Sequence, residues 1–151
     1  MLVFIPMRPD ALSAWVKDGT GESRLGFGVT ADLLDAFGFT DPTDEEAEYT
    51  ALQAAGLAGL LDYGLRLIAV AEAGDTQPGE PAAFGALRVG PLPWSAVGSL
   101  FAEGDAAAAS RVARGLAGVE LEQAWDDPQA QELLSAGDLL WHAPTEWGTL
   151  V

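Results

Sequence analysis

Hydrophobic residues occur along the chain in short runs, separated by longer segments in which they recur every three or four positions. Short apolar runs, above all those with β-branched or aromatic residues, are typical of strands. Six segments fit this description: 2–5, 24–30, 65–73, 82–89, 95–102 and 138–144. The segment 95–102 also fits a helix, because its periodicity is ambiguous. The segment 74–81 is rich in glycine and proline and is predicted to be a loop.

Five segments with helical spacing of their apolar residues lie between these runs. They cover 11–18, 31–38, 43–63, 106–118 and 128–137. Asp10, Thr30, Asp105 and Asp127 precede four of the helices and are predicted to be their N-caps. This mixture of elements favours one α+β domain over residues 1–151, with a mixed sheet of five or six strands packed against helices.

The first predicted helix has a distinct apolar face. Leu12, Trp15 and Val16 lie on that face at helical spacing, and Gly19 is placed to end the helix. We therefore expect Trp15 to be a core residue.

Acidic residues crowd the start of the long predicted helix. Thr43 and Glu46 have the spacing of a capping box, in which the hydroxyl accepts from the backbone amide three residues later. Acids in a first turn also complement the helix dipole. These two effects explain Asp44, Glu45 and Glu46 without invoking a function.

Glu48 lies beyond the first turn, so capping does not explain it. It shares a flank with Asp44 and Glu45, next to Tyr49, and like charges at this spacing repel. Arg66, which interrupts an apolar run, is the nearest plausible counter-charge along the chain. Three interpretations stay open: a solvated or arginine-paired flank, a partner-binding spot, or a Mg²⁺ or Ca²⁺ site built of oxygens. We assign no residue as a metal ligand.

A second candidate region lies near the C-terminal end, where the chain reads "LLWHAPTEW". His142 is the single histidine, and a carboxylate such as Glu146 could make it a general base. Pro144 is expected to prevent helical i,i+4 geometry between them, so we interpret His142 as structural. Trp141 and Trp147 are candidates to line a groove for a partner, because tryptophan is enriched at interfaces.

The composition excludes several classes of function. The chain has 151 residues, is 49% hydrophobic and carries a formal charge of −16, from 23 acids and seven bases. Direct binding of nucleic acid or of anionic lipid is not expected, since both need clustered basic residues. The chain has no cysteine and no apolar run near the ~18 residues of a membrane span. We therefore expect a cytoplasmic protein that does not bind membranes.

Signature motifs of common enzymes are missing from the sequence. "GFGVTA" lacks the third glycine of a dinucleotide fingerprint, and neither a phosphate-binding GxxxxGK[ST] loop nor a G-x-S-x-G elbow occurs. We assign no catalytic residue and no cofactor.

The stretches "FGVTADLLDAF", "DEEAEYTALQAA" and "LLWHAPTEW" occur in this order along most of the chain. In them the chain resembles a family of small uncharacterised actinobacterial proteins, a domain-of-unknown-function family of roughly 150 residues. The resemblance implies a size and a cytosolic setting, and it implies no reaction.

Three functions are compatible with these observations. The first is a non-catalytic regulatory or binding module for a protein or small molecule, with candidate contacts at Asp44, Glu45, Glu48, Tyr49, Arg66, Trp141 and Trp147. The second is a carboxylate-based enzyme that could use a divalent cation. The third is an acidic decoy that mimics nucleic acid.

Overall fold

Seven strands form one sheet in the structure, a computed structural model that describes residues 1–137 and 139–151. The strands are β1 (Leu2–Pro6), β2 (Arg24–Phe27), β3 (Leu67–Glu72), β4 (Thr76–Pro78), β5 (Ala86–Val89), β6 (Val97–Glu103) and β7 (Leu139–His142). Their order in the sheet is β4-β5-β2-β1-β3-β6-β7. Each neighbouring pair is antiparallel.

The α+β class is confirmed, but the sheet is antiparallel throughout and has seven strands, not a mixed set of five or six. Strand direction depends on where each connecting segment ends, and the hydrophobic pattern does not encode that. The extra strand is β4, which lies in the predicted loop 74–81. It has three polar or proline residues at the sheet edge, so it has no apolar signal. Asp138, the first residue of the last predicted strand, lies outside the described residues.

The helices are α1 (Pro9–Asp18), α2 (Ala31–Phe37), α3 (Glu45–Tyr63), α4 (Ala106–Gly115), α5 (Leu121–Trp125) and α6 (Pro128–Ser135). Short 3₁₀ helices lie at Ala82–Phe84, Trp94–Ala96 and Pro144–Thr149. The sequence pattern did not predict α5, which is only five residues long. No helix in the described part of the chain is long and apolar enough to span a bilayer.

Three of the four predicted N-caps are confirmed. Thr30, Asp105 and Asp127 each accept a hydrogen bond from a backbone amide in the first turn of the helix that follows. The fourth prediction is wrong, because α1 begins one residue before Asp10 and its N-cap is Arg8. A proline at the first helical position favours this earlier start. Asp10 then lies in the first turn, with its carboxylate 3.2 Å from the Arg8 guanidinium.

The predicted strand 82–89 is interrupted at Gly85, and only its second half pairs with β2. Gly85 has φ +79°, and a Cβ at this position would collide with the carbonyl oxygen of Gly28. Only glycine fits this left-handed, crowded position. The run 95–102, for which a helix was the alternative, contains the start of β6 and is therefore a strand over most of its length.

The sheet separates two hydrophobic clusters. On one face, α3 packs across β1, β2 and β3 with a surface of alanine and glycine. A Cβ at Gly59 would lie 3.1 Å from the Pro6 side chain, so the helix and the strand are close together. On the other face, α1 and the 3₁₀ helix 144–149 cover the second cluster, which contains Trp15.

Trp15 is 1% exposed, which confirms its prediction as a core residue. Its indole Nε1 donates to the Leu92 carbonyl oxygen at 2.9 Å. The ring packs edge-on against Trp94, with 5.4 Å between centroids, and the Arg24 guanidinium carbon lies 5.2 Å from the ring centroid. Trp15 thus joins α1 to the loop between β5 and β6.

We predict that Trp15→Ala lowers the free energy of unfolding by about 3–5 kcal/mol, because it removes a fully buried aromatic side chain and leaves a cavity. Trp141→Ala is the matched control: Trp141 is 61% exposed, so its loss is expected to cost under about 0.5 kcal/mol. Denaturant titration measures both. A loss below about 1 kcal/mol for Trp15→Ala would contradict the packing described above.

Candidate functional site

The acidic start of α3 is held by a different cap from the one predicted. Asp44 is the N-cap, and its Oδ1 accepts from the backbone amide of Glu46 at 2.8 Å. The predicted capping box is wrong, because Thr43 donates both its amide and its hydroxyl to Asp41 Oδ1, at 2.9 and 2.7 Å. Both bonds lower the pKa of Asp41, and the bond from the backbone amide has the larger effect. Asp41 and Asp44 therefore both have local structural roles at the start of α3.

Glu48 and Tyr49, adjacent in sequence, face different cavities. Glu48 is half-buried and lines a cavity of about 240 Å³ beside Met1, Phe4 and Val29. No ion pair or hydrogen bond within the described residues involves its carboxylate. Tyr49 is 53% exposed and borders a separate cleft, toward β6 and β7. The acidic flank therefore does not form one site with Tyr49.

Arg66 is paired with Glu103, so it is not the counter-charge of Glu48, which was one of the interpretations that the sequence left open. The guanidinium is 1% exposed, and its Nε and Nη2 donate to the two carboxylate oxygens of Glu103, each at 2.6 Å. Antiparallel pairing of β3 with β6 aligns Leu67 with Ala102, which sets Arg66 beside Glu103. Since the strand order could not be read from the sequence, neither could this partner.

Above this ion pair lies a small cleft of about 110 Å³, called the Tyr49 cleft below. Its lining consists of Tyr49, Leu52, Gln53, Arg66, Phe101, Leu134, Gly137 and Leu139. The Gln53 side chain is 6% exposed and donates from Nε2 to the Leu134 carbonyl oxygen at 3.1 Å, joining α3 to α6. The cleft is thus lined by two buried polar side chains, Arg66 and Gln53, among apolar ones.

Trp141 lies beside the Tyr49 cleft on the last strand of the sheet. It pairs with Phe101, a lining residue of the cleft, so the two side chains share one face of the sheet. Its neighbour Leu140, on the opposite face, is 51% exposed. β6 is the one strand that pairs with β7 in the described chain, so the outer edge of β7 carries these two exposed residues without a strand beside it.

The other residues that were predicted as binding contacts lie away from the Tyr49 cleft. Trp147 is half-buried and packs against the cluster on the opposite face of the sheet. Glu45 is exposed at the start of α3. Leu140 was missed as a site residue, although two large apolar residues in succession on a short strand cannot both face one core.

His142 and Glu146 come closer together than predicted. The 3₁₀ helix that begins at Pro144 leaves His142 Nδ1 and Glu146 Oε2 3.9 Å apart, beyond hydrogen-bond length. The same Glu146 oxygen accepts from the Ala143 amide at 2.6 Å, which gives the carboxylate a local role. Within residues 1–137 and 139–151, no group of three or more histidine or acidic side chains is arranged to hold a metal ion.

We predict that Arg66→Met lowers the free energy of unfolding by about 3–5 kcal/mol, because Glu103 would stay buried without its partner. The double variant Arg66→Met/Glu103→Leu is expected to recover most of this loss, since no charge then remains buried. Chemical denaturation of the two variants and of Glu103→Leu completes the double-mutant cycle.

Glu48→Gln is the matched control, and we expect it to change stability by less than about 0.5 kcal/mol. If Glu48→Gln were as damaging as Arg66→Met, the pairing of Arg66 with Glu103 would be refuted.

Comparison with known proteins identifies the family and no activity. No curated protein and no solved structure matches the chain significantly. One family model matches residues 1–151, which agrees with the size that the sequence resemblance implied. The chain therefore belongs to a family of unknown function, DUF6912.

Proposed function

We propose that this protein is a non-catalytic binding module that takes up an extended, basic protein segment along the outer edge of β7. The observation that carries the proposal is the exposure of Leu140 and Trp141, at 51% and 61%, on a strand with one free edge. The cysteine-free sequence is compatible with a reducing cytosol, where we propose that the module works.

A free strand edge offers backbone donors and acceptors to another extended chain. Proteins usually protect such edges with charged residues, proline or a bulge. The sequence of β7, Leu-Leu-Trp-His, contains no acid, lysine, arginine or proline, and its pairing with β6 has no bulge. Addition of a strand here would satisfy the backbone groups and cover Leu140 and Trp141 in the same step.

Tyr49 extends the proposed surface onto α3. It is 53% exposed and borders the cleft that also contains Phe101, the cross-strand neighbour of Trp141. Exposed tyrosine and tryptophan at the rim of a cleft are typical anchors of protein interfaces. A side chain from the incoming segment would enter the Tyr49 cleft, whose volume of about 110 Å³ suits one side chain.

The charge of the chain favours a basic partner over a second copy. The net charge is −16, so two copies repel each other. Glu45 and Glu46 are exposed in the first turn of α3, the turn that leads into Tyr49. Because Glu48 faces a different cavity, the carboxylates do not converge as catalysis would require, and binding is the better-supported function.

We predict that a fluorescein-labelled peptide of alternating lysine and valine, seven residues long, binds the protein in a fluorescence anisotropy titration. Trp141→Ala is expected to weaken binding at least tenfold, or by about 1.4 kcal/mol, without loss of stability. Tyr63→Ala is the matched control, because Tyr63 is an exposed aromatic at the opposite end of α3. The affinity of the Tyr63→Ala variant for the peptide should stay within twofold of that of the wild type.

Two outcomes would overturn this proposal. Equal binding of the charge-reversed peptide, alternating glutamate and valine, would remove the argument for a basic partner. A wild-type dimer in light scattering that Trp141→Ala converts to a monomer would identify a second copy as the occupant of the β7 edge.

A further inference from the structure

Gln53 is a buried polar side chain on α3 that lines the Tyr49 cleft. It is 6% exposed, and its Nε2 donates to the Leu134 carbonyl oxygen at 3.1 Å. Because a backbone carbonyl only accepts, this bond determines which end of the side-chain amide is the nitrogen. The other end, Oε1, is buried and has no hydrogen-bond partner within residues 1–137 and 139–151.

An acceptor in the state of Gln53 Oε1 is uncommon inside a protein. Nearly all buried polar atoms are hydrogen-bonded, because the loss of water without a replacement bond costs free energy. Water does not supply the bond here, since the atom is closed to solvent in this structure. A ligand that brings a hydrogen-bond donor to Oε1 would remove this cost.

The other buried polar side chain of the cleft is already satisfied by a partner. Arg66 donates to both carboxylate oxygens of Glu103, so neither oxygen lacks a donor. Among the described lining residues, the buried side-chain acceptor without a partner is therefore Gln53 Oε1. The cleft is suited to a side chain that donates a hydrogen bond and has an apolar stem.

The position of the cleft requires that this side chain be long. A segment added to the outer edge of β7 lies one strand beyond Leu139 and two strands beyond Phe101, with about 4.8 Å between neighbouring strands. Leu139 and Phe101 both line the cleft. A side chain of the segment must therefore pass over β7 before its end reaches Gln53.

We propose that a glutamine side chain of the bound segment enters the Tyr49 cleft and donates a hydrogen bond from its amide nitrogen to Gln53 Oε1. This inference rests on the function proposed for the β7 edge, and it adds the residue that selects the partner. The amide oxygen of the ligand stays at the mouth of the cleft, where water can donate to it. Tyr49 is 53% exposed at that mouth, and its side chain moves aside when the amide enters.

Other long side chains match the cleft less well. Methionine has no donor, so Oε1 would stay unpaired. A lysine ammonium would lose its water beside the Arg66 guanidinium, with one buried acceptor for its three donors. The basic residues of the segment therefore lie outside the cleft, where Glu45 and Glu46 are exposed.

The test compares two fluorescein-labelled peptides, Lys-Val-Lys-Gln-Lys-Val-Lys and Lys-Val-Lys-Met-Lys-Val-Lys, in anisotropy titrations. The peptides have the same charge, so the acidity of the protein does not distinguish them. We expect the wild type to bind the glutamine peptide at least fivefold more tightly, although methionine is the more hydrophobic residue. In Gln53→Met, which removes the acceptor, the two affinities should agree within twofold.

Gln77→Met is the matched control, because Gln77 is exposed on β4 at the opposite edge of the sheet. This variant should keep the full preference for the glutamine peptide. Gln53→Met also loses the bond to Leu134, so a measurement on the wild type covers the case in which this variant does not fold. The side-chain amide signals of Gln53 in NMR spectra should shift at least twice as far with the glutamine peptide as with the methionine peptide.

Three results would contradict the inference. Equal affinity of the wild type for the two peptides, with Trp141→Ala still weakening both, would remove the role of Gln53 and leave the proposed function standing. A preference for glutamine that persists in folded Gln53→Met would locate the recognition elsewhere. Failure of the wild type to bind either peptide would refute both the inference and the function on which it rests.

Discussion

The buried ion pair of Arg66 and Glu103 is the contact on which the β6–β7 side of the molecule depends. Burial of two charges is costly, and here two hydrogen bonds of 2.6 Å in bidentate geometry offset that cost. Glu103 Oε2 also accepts from the Asp105 amide at 3.2 Å, just where α4 begins. One pair therefore holds β3, β6 and the start of α4 together. A shift of β6 by one residue would turn Glu103 to the other face of the sheet, so the pair opposes any change of register. Since β7 pairs with β6, its exposed edge is positioned by this contact.

Close packing of α3 provides the second constraint. Its sheet-facing surface is made of alanine and glycine, and a Cβ at Gly56 would lie 3.3 Å from the Arg66 side chain. The helix can therefore approach the strands closely enough to bury Arg66, which is 1% exposed. The same approach brings Gln53 to Leu134 and Tyr49 to the mouth of the cleft. The small residues of α3 have no chemistry of their own, but they determine where its larger residues lie.

Local features of the fold could be predicted from the sequence, and features that depend on strand order could not. Apolar runs located six of the seven strands, and polar residues before helices located three caps, because both signals lie within a few residues. The β4 strand carries no apolar signal. Thr43 was predicted as the cap of α3 because the pattern does not reveal that Asp41 binds its hydroxyl.

At the candidate site, the partner of Arg66 is 37 residues away and becomes its neighbour only through the pairing of β3 with β6. A larger cavity of about 480 Å³ is lined by β2, α3, residues 80–81 and residues 118–122, so no single sequence motif predicts it.

Two cavities of the molecule include α3 in their walls, but they use different parts of it. Tyr49 and Gln53 lie in its first half, and Leu61 and Asp62 in its last turn, so about 18 Å of helix separates Tyr49 from Leu61 at 1.5 Å per residue. A helix seated this closely on the sheet has one well-packed position, because sliding by a fraction of a turn would drive larger side chains into Pro6 and Arg66. Coupling between two sites requires an element with two arrangements of similar energy. The close packing of α3 against the sheet favours a single arrangement. The helix is therefore a rigid support that holds the walls of two separate cavities in fixed positions.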